Sequence, residues 1–384
     1  MPTLKSQRGF SLLELLVASS IGLTVVLVMT SLFKTGMDAT TRVMQRAETQ
    51  QNMRAAIQLM TQDISMAGAG LPSGGLQLTT AGGLSLYGCN QSGTCYITGG
   101  TYPNNGGGTP NYMFPMIPGF GNGVQNGVVI PAAPGQINSS ITAIYCDYNF
   151  PLTNFRFTFP SSTSANVAVI NGAIQPNNIL APGGLQVGDL LMFTVSTPGN
   201  GTTGTGTSLV QNAAVVAEIT GIPNNTSVLF STGDALNMNH TSGSNNLAAV
   251  AAAAAGASAQ TSVCRLQAVS YFLQVPPAAG TVETPRLMRQ VNGLTAVPVA
   301  DNIINLQFTY DIIDNTTGTV VANQANPLAA GQSPNLIQKV NIWMMGASPL
   351  TAGNKSQNMY LATSVSTRNM TFCNSYGATT TSCQ

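Results

Sequence analysis

An uninterrupted apolar stretch near the N-terminus constrains this chain more than any other feature. From Phe10 to Phe33 the sequence runs for 24 residues with Glu14 as its only charge. A helix of that length reaches roughly 36 Å, enough to cross a hydrocarbon layer about 30 Å thick. Lys5 and Arg8 precede the stretch, so the positive-inside rule predicts a cytoplasmic N-terminus with the rest of the chain outside. An ordinary secretory signal fits less well, because its apolar region is shorter and ends at a small-residue cleavage site.

Helical periodicity continues beyond this stretch. One apolar helix face is formed by Met53, Ile57, Met60, Ile64 and Ala67, and Met37 and Met44 are expected to extend it upstream. No proline occurs between positions 10 and 71, and Gly68, Gly70 and Pro72 are predicted to end the helix. The pattern predicts a leader at 1–9, a membrane-spanning half-helix at 10–33, an amphipathic half-helix at 34–70 and an extracytoplasmic head at 71–384.

Glu14 is the unusual residue of the apolar stretch. A carboxylate inside a membrane helix costs a few kcal/mol or more and usually has a partner. In one interpretation, Glu14 lies close enough to the membrane interface to stay hydrated. In the other, Glu14 pairs with a cation that forms later, because cutting after Gly9 would create a new α-amino group on Phe10. That group lies about a turn from its own Glu14 but can reach the Glu14 of a neighbouring chain, which would give a staggered stack of helices.

The segment Gly9-Phe10-Ser11-Leu12-Leu13-Glu14-Leu15 resembles the type III signal of type IV pilins and type II secretion pseudopilins. The resemblance implies that a prepilin peptidase cuts after Gly9 and methylates the nitrogen of Phe10. It also implies that Glu14 recruits and registers subunits during assembly.

Further segments resemble minor pilins of the PilW type: 54–56, 63–68, 187–191, 302–311, 340–348 and 361–369. The resemblance is strong over 6–70, patchy over 180–370 and absent over 71–180, and Ser65 stands where many relatives carry a basic residue. It implies a subunit that primes a type IV pilus for twitching or adhesion and is built into the pilus or its tip. The implied partners are the prepilin peptidase, other minor pilins and the major pilin, the inner-membrane assembly platform and a tip adhesin. The implied location is the inner membrane before assembly and the pilus surface after it.

The head is predicted to be rich in β-strands. Short apolar or alternating runs between turn residues predict strands at 127–130, 141–145, 155–159, 189–195, 213–219, 264–275, 285–291, 304–312, 337–345 and 359–366. In the run from Ile304, the apolar positions Ile304, Leu306, Phe308 and Tyr310 alternate with polar ones, as in a half-buried antiparallel strand. We therefore predict an α+β fold of the type IV pilin kind, with the long N-terminal helix packed on a mostly antiparallel sheet and long loops.

Three other segments of the head are distinctive. Residues 104–110 and 199–208 are rich in Gly, Thr and Asn and are predicted to be flexible loops. The alanine-rich 247–259 is compatible with a short helix or with a mobile insertion. Between Asp63 and Asp147 there is no charged residue, and we expect a loop-rich excursion exposed on the filament or its tip.

Six cysteines indicate disulfides in an exported chain: Cys89, Cys95, Cys146, Cys264, Cys373 and Cys383. Six cysteines allow 15 pairings, so the connectivity stays open. The most local arrangement pairs Cys89 with Cys95 and Cys373 with Cys383, which leaves Cys146 with Cys264. Buried free thiols are the alternative. No CxxC pair occurs, and His240 is the only histidine, so a zinc site is disfavoured.

No catalytic chemistry is predicted. The sequence contains no nucleophile elbow, P-loop, HExxH or strand-linked GxGxxG, so we expect no enzyme activity, cofactor or metal. His240 lies in a polar loop, Asp311 and Asp314 are expected to cap a turn more readily than to bind Ca²⁺, and Trp343 is expected in the core. With 7 % charged residues and a net charge of +1, no nucleic acid is indicated as a partner.

Two alternatives to a minor pilin remain at this stage. A large pseudopilin of type II secretion has the same anchor and a similar fold but moves exoproteins. A membrane-anchored adhesin or ligand-binding ectodomain would carry the anchor without polymerising. A requirement for Glu14 in assembly would separate this non-polymerising ectodomain from the minor pilin and the pseudopilin.

Overall fold

The helices and strands are defined in a computed structural model that describes residues 9–72, 75–79, 85–88, 112–120, 122–125, 128–131, 139–170, 172, 176–198, 209–243, 245–255, 260–274, 285–314, 317–324, 334–348, 357–367 and 369–370. The helices are α1 (Leu12–Met66) and α2 (Leu247–Ala254). The first twelve strands are β1 (Leu76–Gln77), β2 (Tyr112–Met113), β3 (Met116–Phe120), β4 (Asn122–Gln125), β5 (Val128–Pro131), β6 (Ser139–Asp147), β7 (Phe155–Ser161), β8 (Ser164–Val169), β9 (Leu190–Pro198), β10 (Leu209–Glu218), β11 (Gly221–Asn224) and β12 (Ser227–Leu229). The others are β13 (Gln260–Gln274), β14 (Arg286–Val291), β15 (Val297–Asp301), β16 (Ile303–Ile313), β17 (Val320–Gln324), β18 (Ile337–Ala347) and β19 (Asn358–Ser366).

The first helix, α1, has two halves with different surroundings. Side chains from Phe10 to Met37 are exposed throughout, whereas Thr49 and the predicted face from Met53 to Ala67 are buried. The predicted core face is therefore confirmed in its C-terminal part only. Met37 and Met44 do not extend it, since they are 62 % and 67 % exposed. Their spacing fits the face, but the head begins further along the helix and nothing among the described residues covers them.

The central sheet is organised around β13. Residues 260–266 of β13 pair with β9, and residues 269–274 pair with β14. Residues 265–271 pair with β6. Because this range shares residues with both of the others, β6 lies along one edge of β13, and β9 and β14 lie along the opposite edge. The sheet continues from β9 to β10, from β14 to β15 and from β6 to β3, all antiparallel. A strand of 15 residues is long enough to join these two sets of strands.

The C-terminal sheet has the order β17-β16-β18-β19 and is also antiparallel. The buried half of α1 packs against both this sheet and the central one, and the shared core includes Met60, Ile64, Tyr271, Phe308 and Ile342. Gly346 in β18 permits the close approach of the helix, because a Cβ there would lie 2.6 Å from the Met53 Sδ atom. The predicted α+β architecture, a long helix on antiparallel sheets, is confirmed.

A second core lies away from α1. A four-stranded sheet of order β11-β12-β8-β7 packs with β9, β10 and α2 around Phe157, Phe193 and Phe230. The Ala-rich segment left open by the sequence is helical over Leu247–Ala254, with Asn246 as its N-cap and with Leu247 and Val250 buried. Residues 256–259, and the predicted loops 104–110 and 199–208, lie outside the described residues.

All ten predicted strands overlap observed ones, but three expectations about burial were wrong. A bulge at the start of β16 turns Ile303 into the core in place of Ile304. Trp343 lies on the face of β18 opposite the core residues Ile342 and Met344 and is only half-buried. In the uncharged segment between Asp63 and Asp147, residues 112–119 are buried rather than exposed, because β2 and β3 pack into the sheet core.

Candidate assembly site

The predicted cleavage point lies just outside α1. Ser11 is the N-cap, with extended backbone angles, and the helix begins at Leu12. Gly9 and Phe10 therefore precede the first helical turn, and the Phe10 side chain is 87 % exposed. A protease that binds an extended chain can reach the Gly9–Phe10 peptide bond without unwinding the helix.

Ser11 and Glu14 form a capping box. The Glu14 backbone N–H donates to Ser11 Oγ (3.2 Å), and the Ser11 N–H donates to Glu14 Oε2 (3.1 Å). This arrangement satisfies two of the N–H groups that a helix start leaves unpaired and places a negative charge at the positive end of the helix dipole. The other carboxylate oxygen, Glu14 Oε1, accepts no hydrogen bond from a described residue, so it remains an acceptor for another group.

This capping role was missed in the sequence analysis, although a signal for it was present. A Ser followed three residues later by Glu, immediately before an apolar run, is the pattern of a capping box. Glu14 is therefore a local structural residue as well as the candidate assembly residue.

The exposed half of α1 has a surface suited to lipid or to other helices. Its most apolar 18-residue window has a mean hydropathy of 2.3, and none of it is buried within the chain. Several hydroxyls of this half donate to carbonyls of their own helix, as with Ser20 to Val17, Thr24 to Ser20 and Thr30 to Val26. Polar groups satisfied in this way do not need water. By length and composition, this helix is long and apolar enough to cross a membrane.

A buried ion pair joins the other half of α1 to the head. Asp63, 4 % exposed, accepts hydrogen bonds from Tyr145 Oη (2.7 Å), Tyr271 Oη (2.5 Å) and Arg289 Nε (2.9 Å). These partners come from β6, β13 and β14. Burial and the Asp63 carboxylate raise the pKa of both tyrosines. Burial opposes the charge of Arg289, but its bonds to Asp63 outweigh that and raise its pKa.

The ion pair between Asp63 and Arg289 was not predicted from the sequence either. Its signal was one acidic residue on an otherwise apolar helix face, between Met60 and Ile64. Such a carboxylate requires a cation or several donors in the surface that covers it. The sequence alone does not show which of the chain's arginines supplies the charge.

The C-terminal end of α1 leads into a tight turn at Gly68, and the segment around Asn369 packs against it. Gly68 has φ +85°, and a Cβ at this position would lie 2.7 Å from the Asn369 carbonyl oxygen. The Asn369 side chain donates to Ser65 O at 3.3 Å, and Gly68 N donates to Ile144 O at 2.9 Å. The helix is therefore attached to β6 and to the segment that follows β19.

A disulfide and an ion pair reinforce the central sheet. Cys146 and Cys264, 118 residues apart, are joined in the structure. Arg265 and Asp147, each the residue after one of these cysteines, lie opposite each other and form an ion pair, and Arg265 also donates to the carbonyls of Gly183 and Gly184. The other four cysteines, Cys89, Cys95, Cys373 and Cys383, lie outside the described residues.

The remaining polar residues singled out in the sequence have structural contacts. Asp314 Oδ1 accepts from the Thr317 N–H (2.9 Å), which is a turn cap. Asp311 accepts from Asn323 N and the Asn341 amide and pairs with Lys339. His240 Nε2 lies 3.1 Å from Asn237 O. Within the described ranges no three His, Cys, Asp or Glu residues are grouped as metal ligands.

Comparison with known proteins bears on the N-terminal segment. Residues 4–30 match the family model of the prokaryotic N-terminal methylation motif. No curated protein and no solved structure matches the chain. Proteins with this motif are typically structural rather than enzymatic, and the motif implies processing by a prepilin peptidase and assembly with pilus components. The methylation motif, at the start of a long apolar helix, indicates that this chain is a type IV pilin-like or pseudopilin protein.

Proposed function

We propose that this chain is a minor pilin of the PilW type, which primes assembly of a type IV pilus and is built into the pilus or its tip. The observation that carries the proposal is Glu14, in the first turn of a helix whose following residues are apolar and exposed. One oxygen of this carboxylate is occupied by the capping box, and the other accepts no hydrogen bond from a described residue. The methylation motif supplies the route by which a cationic partner for it is made.

Assembly follows from the charges at the helix start. Cutting after Gly9 removes the basic leader and leaves an N-methylated ammonium on Phe10. Glu14 of the same chain is held by Ser11, so the new cation is directed to the Glu14 of a neighbouring chain. In an apolar medium such an ion pair is strong and an unpaired carboxylate is costly. The ion pair between Phe10 of one chain and Glu14 of its neighbour thereby fixes how far each added helix is displaced along the one before it. The apolar helix surfaces then pack against each other.

The size of the head supports a minor role over a bulk one. Beyond the nine residues of the leader, this sequence contains 375 residues. Its second core, built on β7–β10 and α2, extends the head beyond the part that holds α1. A large head is easiest to accommodate at the end of a filament, where no subunit lies beyond it. Before assembly the chain would be held in the inner membrane by one span, with its N-terminus in the cytoplasm.

The experiment combines N-terminal mass spectrometry with a Glu14→Gln variant. We expect the wild-type peptide to begin at Phe10 with one added methyl group. The substitution keeps the shape of the side chain and removes its charge, so the variant should be cut normally but be absent from sheared pili, and the number of pili should fall. Glu48→Gln is the matched control, since Glu48 is exposed on the same helix but lies beyond the apolar half.

Other outcomes identify the alternatives. Loss of exoprotein secretion with unchanged piliation in Glu14→Gln cells would indicate a pseudopilin. An N-terminus at Met1, together with an unaffected variant, would indicate a membrane-anchored ectodomain that does not polymerise, and the assembly role of Glu14 would be wrong.

A further inference from the structure

The C-terminal sheet presents a second face, away from α1, that the assembly role does not use. Antiparallel pairing places Trp343 of β18 between Gln307 of β16 and Ala362 of β19. The next position on this face places Asn341 between Thr309 and Ser364. We call this surface, defined by these six residues together with Asn323 and Tyr360, the outer face. Ala362, Ser364 and Asn323 are exposed, and Tyr360 is 62 % exposed.

Trp343, one member of an aromatic pair, lines a hollow on the outer face. The rings of Trp343 and Tyr360 lie 5.7 Å apart at an interplanar angle of 31°. Ala362, directly across from Trp343, is too small to cover the indole. The result is a depression of about 350 Å³, at the lower end of the range for small-molecule sites. A half-buried indole beside a hollow requires an explanation, because the ring buries more favourably against the core.

The amides around the hollow are held in place from below. Asn341 Nδ2 donates to Asp311 Oδ1 (2.9 Å) and to Asn323 Oδ1 (3.1 Å), and Asn323 N donates to the same Asp311 oxygen (2.9 Å). Burial opposes the charge of Asp311, but these bonds and Lys339 hold its pKa below the ordinary value. The Asn341 side-chain carbonyl and the Asn323 amide NH2 form no hydrogen bond with a described residue, so both can bind a ligand.

Two more polar side chains on the outer face lie beside the hollow. The Gln307 amide and the Ser364 hydroxyl form no hydrogen bond with any described residue, and both border the hollow. An amide offers two donors and an acceptor, and a hydroxyl offers one donor. Preset donors and acceptors beside an aromatic ring are the chemistry of a binding site for a ligand with many hydroxyls.

We propose that the outer face binds a neutral oligosaccharide, with one sugar ring stacked on Trp343 and its hydroxyls bonded to Gln307, Asn341 and Ser364. The apolar C–H side of a sugar matches the indole, and its hydroxyls match the amides. None of the nine residues that line the hollow is charged, so a charged ligand would lose its hydration without compensation. A protein partner is disfavoured because interface centres are mostly apolar, whereas this surface is mostly amide and hydroxyl. The proposal does not depend on pilus assembly.

The test uses the fact that Trp343 is the only tryptophan. Full-length chain is prepared in lauryldimethylamine oxide, a detergent without a sugar group, and excited where tyrosine does not absorb. The probes are uncharged tetrasaccharides of α- and β-linked glucose, N-acetylglucosamine, mannose and galactose, up to about 10 mM. We expect at least one series to change Trp343 emission saturably and to protect Trp343 from acrylamide quenching.

Variants of the outer face make the result specific. Gln307→Ala retains the fluorophore and should weaken binding about fivefold, the effect of one lost hydrogen bond. Trp343→Ala, followed by calorimetry, should abolish binding. Gln58→Ala, at an exposed position on α1, should bind as wild type does.

Three results would overturn the proposal. The first is no saturable response to any probe, and the second is an equal response in Gln307→Ala and wild type. The third is a Trp343 that acrylamide does not reach without sugar, which would mean that another segment of the chain covers the outer face. Each readout is independent of processing and of Glu14, so failure here leaves the assembly proposal intact, and failure of assembly leaves this one intact.

Discussion

At the scale of single residues, Asp63 is the main polar contact between α1 and the head. It is the only buried acidic residue of the helix, and its partner Arg289 is 21 % exposed in its side chain. A buried pair of this kind is weak evidence for net stability, but removing one partner leaves an uncompensated buried charge. Arg286, on the same strand as Arg289, forms an exposed pair with Asp301 of the neighbouring strand β15, which offers a direct comparison.

We expect Asp63→Asn to lower the free energy of unfolding by about 3 kcal/mol. Asp301→Asn, which breaks the exposed pair between β14 and β15, should cost less than about 1 kcal/mol. Urea unfolding followed by tyrosine and tryptophan emission measures both. Equal costs for the two variants would show that Asp63 does not hold the helix to the sheet.

Glu218 gives a pH-dependent prediction at the same scale. It is 5 % exposed and accepts from Leu236 N at 2.9 Å, and Asp234 lies beside it. Burial, followed by the neighbouring Asp234 carboxylate, raises the pKa of Glu218 to about 7 from 4.5. The folded state therefore binds the proton more tightly than the unfolded chain does. The stabilisation is complete below the unfolded pKa of 4.5 and is lost as the pH rises through 7.

Glu218→Gln mimics the protonated side chain. We expect this variant to have the same free energy of unfolding as wild type near pH 4.5. Above pH 7 it should be more stable than wild type by on the order of 1–3 kcal/mol. Thermal melts over the pH range measure this, with Asp301→Asn as the control for removal of a carboxylate. A wild-type stability that does not fall across this window would show that Glu218 stays ionised in the folded chain.

At the scale of elements, the helix-to-sheet junction at Gly68 is the most sterically restricted point. The positive φ excludes most side chains, and the Asn369 carbonyl occupies the place of a Cβ. Gly172 has the same φ, +85°, with no atom within 4 Å of its Cβ position. Comparing a substitution at Gly172 with the same substitution at Gly68 therefore distinguishes the cost of backbone strain from the cost of steric overlap.

We expect Gly172→Ala to cost about 1 kcal/mol, the strain of a left-handed residue. Gly68→Ala should cost about 2–4 kcal/mol, because overlap with backbone is added to that strain. Unfolding midpoints measure the difference. If both substitutions cost the same, the chain after β19 moves away from the helix end at no cost, and the junction is not rigid.

At the scale of the whole molecule, α1 belongs to two environments. Every side chain of α1 that is buried lies at Thr49 or beyond. The first half contributes no core, so the head holds its part of the helix without help from the membrane-spanning part. Removal of the apolar half should therefore change solubility and leave the fold intact.

A chain that lacks residues 1–34 tests this division. We expect it to be soluble without detergent, to run as a monomer in gel filtration and to melt within a few degrees of the full chain, since no buried contact is lost. Circular dichroism and gel filtration measure these properties. An unfolded or aggregated product would mean that the apolar half stabilises the head.

Much of the fold could be predicted from local pattern. The apolar run from Phe10 and the spacing from Met53 to Ala67 are properties of neighbouring residues, and short-range geometry turns them directly into a helix. The overlap of all ten predicted strands with observed ones has the same cause. Nine observed strands were not predicted, because short or exposed strands have too little apolar alternation: β1, β2, β3, β4, β8, β11, β12, β15 and β17.

The long helix, its apolar first half, the Gly9–Glu14 motif and the α+β class can be predicted from local patterns, because each depends on residues close together in the chain. Long-range packing places Asp63 against Arg289 across 226 positions, leaves Met44 without a described cover and puts Trp343 on the outer face of its sheet. Periodicity shows which face of an element is apolar, but not which element covers it or where that cover ends. These outcomes follow from how distant strands pair and how far the head reaches along the helix.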